Sequence, residues 1–129
     1  MRIVLDTNVI VSALLIPSSL PAKILDSVLK KELTIVYDNR ILSEYIYVLF
    51  KKNLKINKQA AQYILGFIKK EGEFVIPVPE KIKFTDESDK KFYEVYKSGN
   101  ALYLITGNKK HFPTEAEIVT PREFIEKTY

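Results

Sequence analysis

The sequence contains no cysteine and no tryptophan, one histidine (His111), and only four glycines among 129 residues. The absence of cysteine excludes a disulfide scaffold, an iron–sulfur cluster, a thiolate zinc site and a cysteine nucleophile. A single histidine excludes a multi-histidine metal centre. The glycines form no phosphate-cradling loop of the dinucleotide-binding kind. No apolar run approaches the roughly 20 residues that span a bilayer. The segment Met1–Asp6 has neither the long apolar stretch nor the small-residue cleavage site of a secretory signal, so a cytoplasmic, membrane-free protein is expected. Hydrophobic residues make up 47% of the chain, enough for one packed core, and the length predicts one domain spanning residues 1–129.

Charge is modest overall and uneven locally. There are 20 Lys+Arg against 16 Asp+Glu, a formal net charge of +4. Between positions 51 and 70, Lys51, Lys52, Lys55, Lys58, Lys69 and Lys70 meet no acid. Such a surplus raises the local potential and attracts phosphates. The same pattern also suits a solvated helical surface.

Strand and helix signals alternate along the chain. The expected strands are Ile3-Val4-Leu5, Leu33 to Tyr37, Phe74-Val75-Ile76, Leu102 to Ile105 and Glu117-Ile118-Val119, each short and apolar or β-branched. The expected helices are Val9 to Leu15, Ser19 to about Lys31, one after Asp38 or Asn39 through Leu49, and one from Asn57 to Glu71. A fifth starts at Thr85 or Asp86 and ends near Gly99, and a last one follows Thr120. Thr120-Pro121-Arg122-Glu123 carries a capping-box pattern with proline at the first helical position. This alternation predicts an α/β fold: a mostly parallel sheet of four or five strands with helices on both faces. Ligands of such sheets bind beyond the carboxyl ends of the strands.

Four places in the chain fall at that edge. Asp6 ends the first strand, Glu44 lies in the helix after the second, Asp86 and Asp89 open the helix after the third, and Thr106-Gly107-Asn108 follows the fourth. Carboxylates drawn together repel and raise one another's pKa, and a hard divalent cation such as Mg²⁺ or Mn²⁺ offsets that repulsion. Each residue also has a plainer role available. Asp6 is placed to cap a helix, and Asp86 or Asp89 to favour a helix N-terminus. Asn108 suits a turn and His111 a surface. Glu44 sits in a nearly all-apolar helix, where an unpaired carboxylate is costly, and therefore calls for a cation or a partner.

Taken together, these segments resemble the PIN-domain nucleases. Ile3-Val4-Leu5-Asp6-Thr7-Asn8-Val9 is similar to the family's first motif, and Ser43-Glu44-Tyr45 with Val48-Leu49 to its second. Asp86-Glu87-Ser88-Asp89-Lys90-Lys91-Phe92 is similar to the third, and Tyr103-Leu104-Ile105-Thr106-Gly107-Asn108 to the fourth. The resemblance covers about residues 1–120. It implies a three-layer PIN-like domain and a ribonuclease dependent on Mg²⁺ or Mn²⁺. In many relatives that enzyme is a VapC-like toxin, a homodimer held inactive by a small antitoxin.

Carried over by motif, Asp6, Glu44 and Asp89 are the catalytic and metal-binding acids, and Asp86 is an auxiliary ligand. Asn108 occupies the fourth position and would place a water or a weaker second ion. Relatives carry an aspartate there, or three residues on, where this chain has His111. Neither residue supplies a carboxylate, which leaves one ion or two open. Lys51, Lys52, Lys55 and Lys58 would hold the RNA backbone, and Tyr45 and Tyr47 would either stack on bases or pack in the core. Two other readings fit parts of the sequence. One is a catalytically weakened PIN module acting by RNA or protein binding. The other is a phosphotransfer domain, although Asp6-Thr7-Asn8 lacks the second acid of the phosphatase motif.

Overall fold

The first strand, β1 (Arg2–Leu5), is almost wholly apolar, and its last three residues are at most 1% exposed. A strand buried on both faces requires cover on both, the usual condition of a parallel sheet. The computed structural model describes residues 1–129 and supplies that cover. After β1 come α1 (Thr7–Leu15), α2 (Leu20–Leu29), β2 (Thr34–Tyr37), α3 (Asn39–Leu49) and α4 (Lys58–Glu71). Then follow β3 (Glu73–Phe74), α5 (Lys90–Ser98), β4 (Tyr103–Ile105), β5 (Ile118–Val119) and α6 (Pro121–Thr128). Short 3₁₀ turns occupy Lys52–Leu54, Glu87–Asp89 and Lys109–His111.

The five strands lie in the order β3-β2-β1-β4-β5, and every neighbouring pair is parallel. β1 is therefore central, with Ile3 opposite both Ile35 and Tyr103. The chain steps from β1 outward to β2 and β3, then returns to β4 and β5 on the other side. This reversal makes the carboxyl end of β1 the topological switch point, where a crevice opens. α5 makes the return crossing and packs against β1, β2 and β4 on one face. Val36 points that way, within close range of Gly99 at the end of α5. On the opposite face α1 packs on α2, α2 packs on α6, and α4 lies against β2 and β3, while α3 touches α1, α4 and α5. The result is three layers, helices–sheet–helices, as the alternating pattern predicts. No single helix is long and apolar enough to cross a membrane.

The expected caps of α2, α3, α4 and α6 form. Ser19, Asp38 and Asn57 each accept a hydrogen bond from a backbone N–H of the first turn of α2, α3 and α4. Thr120 and Glu123 complete the capping box of α6. Most boundaries fall within two residues of expectation, and two of the differences have a clear physical cause. β3 is two residues long rather than Phe74 to Ile76, because β2 ends at Tyr37 and the chain then turns into α3. Tyr37 pairs with Phe74, and beyond Val75, whose N–H reaches the Tyr37 carbonyl, there is no partner strand. Pro77 and Pro79 could not donate to one in any case. The fifth helix begins at Lys90 rather than near Asp86, because the Asp86 side chain accepts from the Ser88 N–H and winds Glu87–Asp89 into a 3₁₀ turn.

α3 is fixed over the end of β1 by Tyr45. The ring is fully buried, and its hydroxyl donates to the Leu5 carbonyl at 2.6 Å. Tyr45 is thus a core residue and is not available to stack on a base. Tyr47 is 69% exposed, with the Lys51 ammonium 5.0 Å from its ring centroid.

Candidate active site

Asp6 follows the last residue of β1 and is 6% exposed. It stands at the N-cap position of α1, yet its side chain does not cap the helix. Instead Asp6 Oδ2 accepts from the Thr106 hydroxyl at 2.7 Å, which ties the end of β1 to the end of β4. Thr106 is itself fully buried and accepts from the Asn108 N–H. Asn8 makes a second tie across the same gap, its Oδ1 accepting from the Gly107 N–H at 3.3 Å. The polar residues that end two central strands thus position one another.

Burial pushes the Asp6 carboxyl up to about 6, and the charges of Asp89 and Glu44 push in the same direction. The Thr106 hydrogen bond opposes them without cancelling them. The charges of two acids far apart in sequence, Asp89 and Glu44, therefore reach Asp6 at the carboxyl end of β1. Asp89 is also raised, first by its own partial burial and further by the charge of Asp86. His111 moderates this, its Nδ1 lying 3.1 Å from Asp89 Oδ2.

Glu44 is held from two sides. Its Oε1 lies 2.7 Å from the Lys91 ammonium, and its Oε2 accepts from the Thr7 hydroxyl. The two side chains are 26% and 12% exposed. With Glu44 turned to Lys91, no three acid or histidine side chains are placed around one point as a ready-made ion site. The donor set itself is all-oxygen, the chemistry preferred by Mg²⁺ and Mn²⁺. Burial first, and then the charges of Asp89 and Glu44, disfavour the ionised Asp6 carboxylate, and such a cation would offset both.

The remaining sequence-predicted residues divide. Asp86 is exposed, and its carboxylate binds the Ser88 N–H and hydroxyl, which hold its pKa below the ordinary carboxylate value. It acts on the site through its charge on Asp89. Asn108 is exposed at the end of β4; its backbone N–H donates to the Thr106 hydroxyl and its carbonyl accepts from the His111 N–H. Lys51 lines an open cleft of about 400 Å³ together with Asp6, Thr7, Glu44 and Asn53. Lys52 lies in the 3₁₀ turn after α3, Lys55 just beyond it and Lys58 at the first position of α4. All four lysines are exposed, and none is paired with an acid.

Two features carry no clear sequence signal. Lys91, two positions after Asp89, forms the ion pair that holds Glu44. Beside the site, Arg40 bridges two buried carboxylates, Asp38 at 2.7 Å and Glu94 at 2.8 Å. Glu94 in turn accepts from the Glu80 N–H and pins the loop before α5. Asp38 is legible from sequence only as a helix cap, and the 54 positions between Arg40 and Glu94 conceal their contact.

This architecture and this edge of acids define a PIN-type domain, and residues 2–110 match the PIN domain family. The chain belongs to that family, which supports a nuclease function of the general PIN type. It is similar to "Uncharacterized protein MJ1680" of Methanocaldococcus jannaschii, at 28% identity over 141 aligned positions covering 98% of this chain and 90% of the relative. No solved structure matches the chain.

Proposed function

We propose that the protein is a metal-dependent endoribonuclease, the toxin component of a toxin–antitoxin pair acting in the cytoplasm as a homodimer. The observation that carries the nuclease reading is the convergence at the switch point of a parallel sheet of Asp6 and Glu44, which line one cleft, with Asp89, whose charge reaches Asp6. Asp6, Glu44 and Asp89 would hold Mg²⁺ or Mn²⁺. A bound divalent ion supplies charge that acidifies water and polarises a scissile phosphate.

The chain's own residues prepare the site. Thr106 orients Asp6, Thr7 and Lys91 orient Glu44, and His111 restrains Asp89. Lys51 brings positive charge to the rim of the cleft. Lys52, Lys55 and Lys58 extend that charge along the turn into α4, where they would engage successive backbone phosphates. Asn108, at the end of β4, would hold a water with its side-chain amide. The toxin assignment and its small antitoxin partner follow from the motif resemblance, and the basic surface is compatible with them.

The test is cleavage of single-stranded and structured RNA by purified protein. Turnover is expected with Mn²⁺ or Mg²⁺ and none in EDTA, and Asp6→Asn should reduce it by at least about a hundredfold. Equal cleavage by wild type and Asp6→Asn would overturn the reading. A second reading, a weakened module that binds RNA without cutting it, is favoured by one observation: Glu44 is already neutralised by Lys91. That module would retain RNA in EDTA and show no turnover with either ion.

A further inference from the structure

We propose that Lys91 is the resident cation of the acidic site and limits it to a single divalent ion, an inference that rests on the metal-dependent reading. Asp6, Glu44 and Asp89 bring three negative charges to the carboxyl end of β1. Lys91 offsets one of them, and the two that remain match one divalent ion. Asp86 adds no ligand to this count, because its carboxylate is exposed and bound to Ser88. The fourth motif position adds none either, with Asn108 and His111 in place of an acid.

The placement of Lys91 is built into the fold. The side chain is 12% exposed, an unusual state for lysine. It is held at three points: Glu44 Oε1 at 2.7 Å, the Ser88 carbonyl, and the Phe92 ring with its centroid 5.0 Å away. Phe92 is fully buried and anchors the first turn of α5, so the ammonium is carried on a rigid element. Thr7 holds the other oxygen of Glu44 and fixes the carboxylate toward the lysine. An ammonium in this position does two things. It keeps Glu44 paired when no ion is present, avoiding the cost of an unpaired, partly buried carboxylate. It also repels any second divalent ion approaching the Glu44 side of the site.

The experiment is Mn²⁺ titration of the full chain without RNA, reading free Mn²⁺ by electron paramagnetic resonance. Wild type is expected to bind one ion per chain. Lys91→Met, which frees Glu44 and removes the repelling charge, should hold that ion about tenfold more tightly or better, and a second ion should enter weakly through the freed Glu44 oxygen if at all. Lys91→Gln, which removes the charge but keeps a donor toward Glu44, should show the same gain if Lys91→Met fails to fold. In EDTA, Lys91→Gln should lower the melting temperature of the wild type and leave that of Glu44→Gln nearly unchanged. Two ions on wild type, or no gain in affinity on either lysine variant whatever the number of ions bound, would overturn the role of Lys91 while leaving the metal reading intact, and a tighter first ion on either variant supports it. No Mn²⁺ on wild type would overturn the metal reading and this inference with it.

Discussion

Asp6→Asn is expected to stabilise the metal-free protein at pH 7.5, although the same change should abolish cleavage. The Asp6 carboxyl is raised from an ordinary value near 3.8 to about 6. A raised acid binds its proton more tightly in the folded state than in the unfolded state. Its stabilising contribution is therefore full below about pH 4 and is lost as the pH rises through about 6. Above that window the ionised carboxylate is a burden on the fold, of the order of 3 kcal/mol at about 1.4 kcal/mol per pKa unit. Asparagine carries no charge and can still accept from Thr106 through its side-chain oxygen. In EDTA at pH 7.5 the variant should melt higher than wild type by as much as about 10 °C. At pH 4 the difference should vanish. Chemical or thermal denaturation across pH 4–8 checks both statements. A variant less stable than wild type at pH 7.5 would show that Asp6 is a structural acceptor for Thr106 first, with no strained charge to relieve. A gain in stability with a loss of activity is the signature of a residue kept for function.

The second large effect is expected at Arg40, outside the catalytic acids. Its guanidinium is about half exposed, so the intact pairs add modestly to stability, but the carboxylates it holds are only 6% and 7% exposed. Arg40→Met leaves both without their cation. Breaking a buried pair from one side costs more than the pair was worth, because a charge is stranded. Asp38 keeps the Ile41 N–H and Glu94 keeps the Glu80 N–H, which limits the damage. A loss of roughly 2–4 kcal/mol at pH 7 is expected, read by urea denaturation. Burial alone would raise Glu94, but the Glu80 N–H and Arg40 outweigh it and hold the carboxyl below its ordinary value. A lowered acid stabilises the fold above its unfolded pKa and loses that contribution as the pH falls, so the deficit of Arg40→Met should shrink in acid. Because Asp38 caps α3 and Glu94 pins the loop before α5, the variant should also loosen the mounting of Glu44 and Asp89. A loss below about 0.5 kcal/mol would mean that water replaces the guanidinium without cost.

These effects mark which parts of the molecule can be read in one dimension. The strands are short apolar runs, and the caps of α2, α3, α4 and α6 are local patterns, so the order of elements and the three layers follow from residues near one another in sequence. The positions of Asp6, Glu44 and Asp89 follow from the rule that parallel sheets place ligands beyond their carboxyl ends. The difference between Asp86 and Asp89 is not legible in this way. Both acids precede the same helix, and only the 3₁₀ turn sends one outward to Ser88 and the other toward His111 and Asp6. The shortness of β3 depends on where its partner β2 stops. The pairing of Lys91 with Glu44 and of Arg40 with Glu94 requires α5 to lie against α3, a contact made by tertiary packing alone. Charged residues engaged in such contacts look like ordinary surface lysines and arginines until the helices are brought together.

In the proposed function Asp6, Glu44 and Asp89 form one site for a divalent cation. Isothermal titration of Mn²⁺ into the wild type and into Asp6→Asn, Glu44→Gln and Asp89→Asn, at pH 7.5 and at pH 5, tests it most directly. Wild type is expected to bind at pH 7.5 and more weakly at pH 5, where Asp6 holds its proton, and each of the three variants should lose at least about tenfold in affinity. Undiminished binding by any two of them at pH 7.5 would contradict it.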